Sequence, residues 1–168
     1  MGYGIRRLQA ADAEAAVALR REMIIDRPVS FLGTLEEDAG LDADIVRERL
    51  AHPINCALGA FDDSGALVAT ATLIQQMQPK LRHKGLVVSV YTTPRCRRQG
   101  LSRRLILQLL EYGRSVEGME IVGLGVSAEA PEAQALYETL GFVAWGREPR
   151  AIRTDGRDVD EIHMWREL

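Results

Sequence analysis

Between Pro94 and Arg104 the chain reads PRCRRQGLSRR, five arginines around one glycine in a protein whose formal net charge is −3. Positive charge of that density suits an anion, and the flanking residues say which kind. Upstream, GLVVSVYT (85–92) is apolar and β-branched, as a strand covered on both faces would be. Downstream, Leu101, Leu105, Ile106, Leu109 and Leu110 recur at helical spacing as far as about Arg114, with Arg103, Arg104, Gln108 and Glu111 opposite. A strand that stops at Thr92-Thr93-Pro94, crosses a tight basic loop and opens a helix at Gly100 or Leu101 gathers unpaired N–H groups where a helix is electropositive. Gly100 permits a positive φ and close approach of a ligand, and Ser102 is too small to obstruct it. Guanidinium groups beside such amides can grip phosphate through paired hydrogen bonds. The expected ligand is a small anion of pyrophosphate type. Neither familiar phosphate loop matches: no Gly-Lys-Ser/Thr closes the loop, and GLGVS (123–127) lacks the third glycine of G-x-G-x-x-G.

The rest of the chain supplies elements to hold this loop. YGIRRL (3–8) reads as a short strand and residues 10–27 as a helix ended by Pro28. LDADIVRERLAH reads as a second helix before Pro53, with Asp42 or Asp44 as its N-cap. Residues 56–61 and 66–75 flank DDSG, a turn composition, and form a hairpin. EIVGLGVS (120–127) is another buried strand. PEAQALYETLG (131–141) is a helix with Pro131 in its first turn and Gly141 past its end. FVAWGREP and VDEIHMWREL are the last strands, joined around RTDG. The order β-α-α-β-β-β-α-β-α-β-β predicts an α/β chain with a mixed sheet and helices packed on it, one domain over residues 1–168.

Composition narrows the classes. At 46% hydrophobic and 27% charged, the chain is globular rather than disordered or fibrous. No apolar run is long enough to span a bilayer, the N-terminus lacks the apolar core of a secretory signal, and Arg6 occupies the position where a myristoylation site needs Ser or Thr. Cys56 and Cys96 form neither a disulfide framework nor a metal-ligand pattern, so no metal is expected and a reducing, cytoplasmic location is. The acidic balance argues against a nucleic-acid binder, although RCRRQGLSRR could by itself track a phosphate backbone.

The segment Arg97-Arg98-Gln99-Gly100-Leu101-Ser102 resembles the acetyl-CoA loop of the GCN5-related N-acetyltransferases, Arg/Gln-x-x-Gly-x-Gly/Ala, with Ser102 in the last small position. VYTTP is similar to the strand end before that loop, and AQALYETLGF (133–142) to the family's Ala-x-x-Leu-Tyr-x-x-x-Gly-Phe segment. The resemblance covers roughly residues 55–166. It implies a mostly antiparallel central sheet flanked by helices, and acetyl-CoA as cosubstrate. It places CoA pyrophosphate on the amides of Arg97, Arg98, Gln99, Gly100, Leu101 and Ser102, and pantetheine along Val90, Tyr91 and Thr92. It makes Tyr137 the acid for the departing thiolate and the Thr92 amide the oxyanion donor. Two departures stand out: Ala130 replaces an Asn common in the family, and GLVVSVY carries no Glu to serve as base.

The implied reaction is direct transfer of acetyl to a primary amine of a small molecule or protein. That amine must lose a proton first, since at a pKa of about 10.4 it is almost wholly protonated at neutral pH. Base candidates by residue type are His83, Glu129, Asp155 and Tyr91. Cys96, between Arg95 and Arg97, is an alternative nucleophile without an evident partner. Trp145 and Trp165 read as packing or interface residues. The acceptor pocket is expected from residues 27–45, 76–84 and 147–158, where Glu36, Glu37 and Asp38 suit either a cationic amine or a solvated acidic turn. A CoA-binding module without catalysis is the main rival function, and pairing of two copies through strand edges or the C-terminal hairpin is compatible with the sequence.

Overall fold

The computed structural model of the chain describes residues 2–53 and 55–168. Its strands are β1 (Gly4–Arg7), β2 (Asn55–Phe61), β3 (Leu67–Gln75), β4 (Lys84–Thr92), β5 (Ile121–Ser127), β6 (Val143–Thr154) and β7 (Arg157–Glu167). The helices are α1 (Ala13–Asp26), α2 (Ala43–Ala51), α3 (Leu101–Ser115) and α4 (Pro131–Thr139). The element order is the expected one, with shifted ends. Helix α1 begins three residues later than its apolar pattern, because Ala10–Asp12 forms a 3-10 turn in which the Asp12 side chain accepts from the Gln9 amide. Asp42 rather than Asp44 caps α2, accepting from the amides of Asp44 and Ile45. Helix α4 stops at Thr139, and Gly141 follows at φ +82°.

The strands form one sheet in the order β1-β2-β3-β4-β5-β7-β6. Every neighbouring pair is antiparallel except β4 and β5, which α3 connects as a crossover. The β2–β3 hairpin turns on Asp62, whose carboxylate accepts from the amides of Ser64 and Ala66 while Gly65 adopts φ +82°.

Helices lie on both faces, unequally. Helix α3 presses Leu101, Leu105, Ile106, Leu109 and Leu110, none more than 2% exposed, against Leu58, Ala60, Val68, Ala71 and Val122. On the opposite face α1 and α2 cover only β2 to β4, leaving that side of β5, β7 and β6 without a helix. Hence the expectation that the two middle strands are covered on both faces fails in part: Leu86 on β4 is 37% exposed and Gly125 on β5 is exposed. On β5 the pattern looks continuously apolar because Gly123 and Gly125 fill the open face, and on β4 because the apolar Leu86 is itself on that face.

Leu109 makes the core dependence testable. Leu109→Ala should lower unfolding stability by about 2–5 kcal/mol. Urea titration should show the midpoint falling with an unchanged slope.

Candidate active site

Strands β4 and β5 pair over three positions only, Lys84, Gly85 and Leu86 against Ile121, Val122 and Gly123. Beyond Leu86 they diverge, so the β5-facing edge of Val87–Thr92 has no strand partner among the described residues. The divergence coincides with a bulge. Between the pairs Thr70–Tyr91 and Thr72–Val88, β4 holds Ser89 and Val90 against the single Ala71 of β3, and Ser89 adopts φ +54°. Thr93 donates its amide to Val68 on the β3 side at 2.9 Å, so strand alternation turns the Thr92 amide toward the gap.

The loop after β4 closes one end of that gap. Arg98 and Gly100 both take left-handed conformations, at φ +61° and +74°. Gly100 is the N-cap of α3, and its carbonyl accepts the first helical bond from Arg104 at 3.0 Å. The amides of Gly100, Leu101, Ser102 and Arg103 donate to no group among the described residues. A Cβ built on Gly100 would meet nothing within 4 Å, so the space beside the N-cap is open. Ser102 Oγ lies 3.0 Å from Thr92 Oγ1, which ties the helix start to the strand end.

The arginines divide differently from the sequence reading. Arg97 donates to the Thr92 carbonyl at 3.1 Å and pairs with Asp26. Arg95 reaches Asp62 at 3.2 Å, Arg103 reaches Thr139 at 3.0 Å, and Arg104 reaches the Tyr3 carbonyl at 3.2 Å. Arg98 alone of the five makes no such bond among the described residues, and it is exposed at the cradle. Most of the positive charge therefore fastens the loop to its own scaffold.

Helix α1 supplies the other half of that fastening. Glu22 and Asp26, one turn apart, accept the Tyr91 hydroxyl at 3.1 and 3.2 Å, and Glu22 also accepts from Thr93. Burial, followed by these two carboxylates, raises Tyr91 well above the ordinary phenol range. Tyr91 is thus a proton donor at neutral pH and not the base its type suggested.

Tyr137 lies on α4, which packs on β5 across the gap, with its ring edge-on to Phe142 at 5.9 Å. It is 6% exposed, and burial pushes its hydroxyl up to about 12. That hydroxyl makes no hydrogen bond with the described residues, and no fully buried polar side-chain atom among them lacks one, so it opens onto solvent. Ala130 is the N-cap of α4 and offers no side-chain cap.

The remaining base candidates lie elsewhere. His83 precedes β4, at the end remote from Thr92, and its carbonyl accepts from Glu120 and Ile121. Glu129 is paired with Arg157 at 2.5 Å, and Asp155 occupies the β6–β7 turn at φ +50°. Of the expected acceptor region only residues 27–45 contribute to a cavity, of about 570 Å³ between α1, residues 32–40, α2 and the sheet, which reaches Val88 and Ser89 at the bulge; residues 76–84 and 147–158 do not line it. Within it Asp38 bonds Arg20 at 2.6 Å and the Gly40 amide at 2.7 Å. Burial opposes its charge, but these partners outweigh burial and hold Asp38 below the usual carboxylate range. Glu37 lines the same cavity. A cluster of Glu148, Glu161 and His163 on the open face was not anticipated.

The model of the acetyltransferase (GNAT) family matches residues 17–142, three quarters of the chain. The chain belongs to that family. No curated protein sequence matches it. Solved structures agree on the GNAT fold. A ribosomal-protein-alanine N-acetyltransferase from Brucella melitensis is 22% identical, with 98% of this chain and 99% of that one aligned at a TM-score of 0.84. A phosphinothricin acetyltransferase from Sinorhizobium meliloti, in complex with AcCoA, is 21% identical over 100% and 89% of the two chains, at 0.83. A spermidine N-acetyltransferase from Vibrio cholerae, in complex with CoA and spermine, is 20% identical over 98% and 95%, at 0.79. Among the described residues of this GNAT chain no helix is long and apolar enough to cross a membrane.

The raised Tyr137 has a measurable consequence. Folded Tyr137 keeps its proton up to about 12, whereas an unfolded phenol loses it near 10. Below pH 10 both states are protonated and the full stability is present; between 10 and 12 the unfolded chain ionises first and stability falls, by about 2–3 kcal/mol for this group. Urea titrations at pH 9 and 11.5 should show a smaller loss for Tyr137→Phe than for the wild type.

Proposed function

We propose that this GNAT chain, as one domain over residues 1–168, transfers acetyl from acetyl-CoA directly to a primary amine. The observation that carries the reading is the row of free amides from Gly100 to Arg103, with open space at the N-cap, beside a strand edge that has no partner among the described residues. A pyrophosphate takes up several converging N–H donors and the helix N-terminus, with Arg98 as the loop's one guanidinium unpaired among the described residues. An extended pantetheine arm with its own amides pairs with Val90, Tyr91 and Thr92 as an added strand would. Arg97 contributes by fixing the Thr92 carbonyl and Asp26 rather than by holding phosphate.

The roles follow from what each group can donate. The Thr92 amide faces the gap, where the thioester oxygen gains charge as the amine attacks, and a fixed donor there lowers the barrier. Tyr137 keeps its proton at neutral pH and offers it to sulfur as the C–S bond breaks. The burial that makes a phenolate costly also makes a thiolate beside it costly, so the proton shifts only as negative charge builds on sulfur. No covalent enzyme intermediate is needed, and Cys96, buried under the loop, is unsuited to forming one. The structural neighbours named for acceptors as different as a ribosomal protein's alanine, spermidine and phosphinothricin support an amine acceptor without fixing which.

Calorimetric titration with acetyl-CoA and with CoA tests the cradle. Saturable wild-type binding should be abolished in Gly100→Trp, whose side chain would occupy the open space beside the N-cap. Absence of wild-type binding would refute the transferase reading. Tyr137→Phe should lower kcat for thiol release about 100-fold while acetyl-CoA affinity stays at the wild-type level.

A further inference from the structure

The unanticipated cluster sits at a defined place on the sheet. Residues paired across strands share a face, so Leu86, Gly123, Trp165 and Val143 form one row, and Gly125, His163 and Gly146 form the next. Val88, two residues after Leu86 and on the same face, lines the cavity under α1 and α2. His163 therefore lies on the cavity's side of the sheet, about 7 Å beyond the last β4–β5 pair. That is where the gap begins to open.

The local sequence gives this histidine an unusual setting. Both of its cross-strand neighbours are glycines. A Cβ at Gly125 would come within 2.5–2.7 Å of the Glu161 carboxyl group, so Glu161 folds over Gly125 only because that residue has no side chain. On the other flank β6 is bulged between Ala144 and Gly146, and the extra residue is Trp145. Its ring tilts over the imidazole at 5.6 Å while remaining 67% exposed. Glu148 Oε2 lies 3.0 Å from His163 Nε2 and Glu161 Oε2 lies 3.8 Å from it. The donor atoms of all three residues fall within 4.8 Å of one another.

With Nε2–H donating to Glu148, the Nδ1 lone pair is left free among the described residues to accept a proton. The carboxylates then hold the resulting imidazolium, while the exposed indole face and the second carboxylate suit an incoming cation. We propose that His163 takes the proton of the acceptor's ammonium group through intervening water, and that Glu148, Glu161 and Trp145 make a cationic primary amine the preferred acceptor. The inference rests on the acetyl-transfer reading. Of the ammonium's three N–H protons, one passes through water to His163 and on to solvent, one reaches sulfur by way of the Tyr137 phenol, and one stays on the amide. The amine lone pair forms the new N–C bond as the C–S pair leaves with sulfur.

The test uses 1,4-diaminobutane as acceptor and acetyl-CoA as donor. His163→Ala should lower kcat for thiol release about 100-fold with acetyl-CoA affinity unchanged, and added imidazole should restore part of the rate. Unchanged turnover, or a loss that imidazole does not relieve, would overturn the proton role. A second readout does not need turnover. In a Trp165→Phe background Trp145 is the only tryptophan, and its fluorescence should respond saturably to the diamine, with the response weakened at least tenfold in Glu148→Gln and in Gly125→Ala. No response in the parent protein would overturn the cationic subsite. A response without thiol release, from protein that binds acetyl-CoA, would uphold the subsite and reject the transfer reading instead.

Discussion

The early end of the β4–β5 ladder is the constraint from which the site follows. A parallel pair continued to Thr92 would consume every backbone group on that edge of β4 and leave nothing for a ligand to join. Instead, pairing stops at Leu86 and Gly123, and the bulge at Ser89 and Val90 bends β4 away. Unpaired backbone groups are tolerable only where water or a ligand reaches them. On the proposed reading the unpaired edge is a binding surface already in strand geometry, with little ordering cost left to meet on the protein side.

Holding such an edge in place needs anchorage from another direction, and α1 provides it. Glu22 and Asp26 on one face of that helix collect Tyr91, Thr93 and Arg97, which bracket the strand end and the start of the loop. The Arg97 contact with the Thr92 carbonyl and the Ser102 contact with the Thr92 hydroxyl complete the hold. Because two carboxylates face a tyrosine, a threonine and an arginine, removing either acid leaves donors competing for the other. Loop order should depend on the pair more than on either bond alone. The two left-handed residues, Arg98 and Gly100, are then kept by a frame that is fixed at both ends.

The fold and the turn that opens α3 were readable in the residues because both rest on local rules. Helix α3 announces itself by five leucine or isoleucine positions at helical spacing, all of which are buried, and Gly100 marks the point where the backbone must turn left-handed. The arginines misled for a physical reason: spacing shows that charge is present, not which acid it meets, and Asp26, Asp62, Thr139 and Tyr3 are distant in sequence. The acid pair on α1 had a legible one-turn spacing but no local sign of its partner. The His163 cluster was hidden by register. Counting back from the β6–β7 turn pairs Thr154 with Arg157, but the bulges at Glu148–Ile152 and Ala144–Gly146 shift every later partner. Only the observed ladder sets Glu148 opposite Glu161 and places Trp145 over the imidazole.

This division of legibility has a functional counterpart. On the proposed reading the cosubstrate is held largely by backbone, through amides that depend on one glycine, one bulge and one helix start. Side-chain changes can accumulate around such a site without altering what it binds. On the same reading the acceptor side is built from side chains, those of the cavity under α1, residues 32–40 and α2 and those of the proposed His163 cluster on the β6–β7 hairpin, on a sheet face that the helices cover only halfway. A substitution at Glu148 or Trp145 alters charge or shape there without touching the α3 core. On that reading the half-covered face uncouples acceptor choice from both folding and CoA recognition.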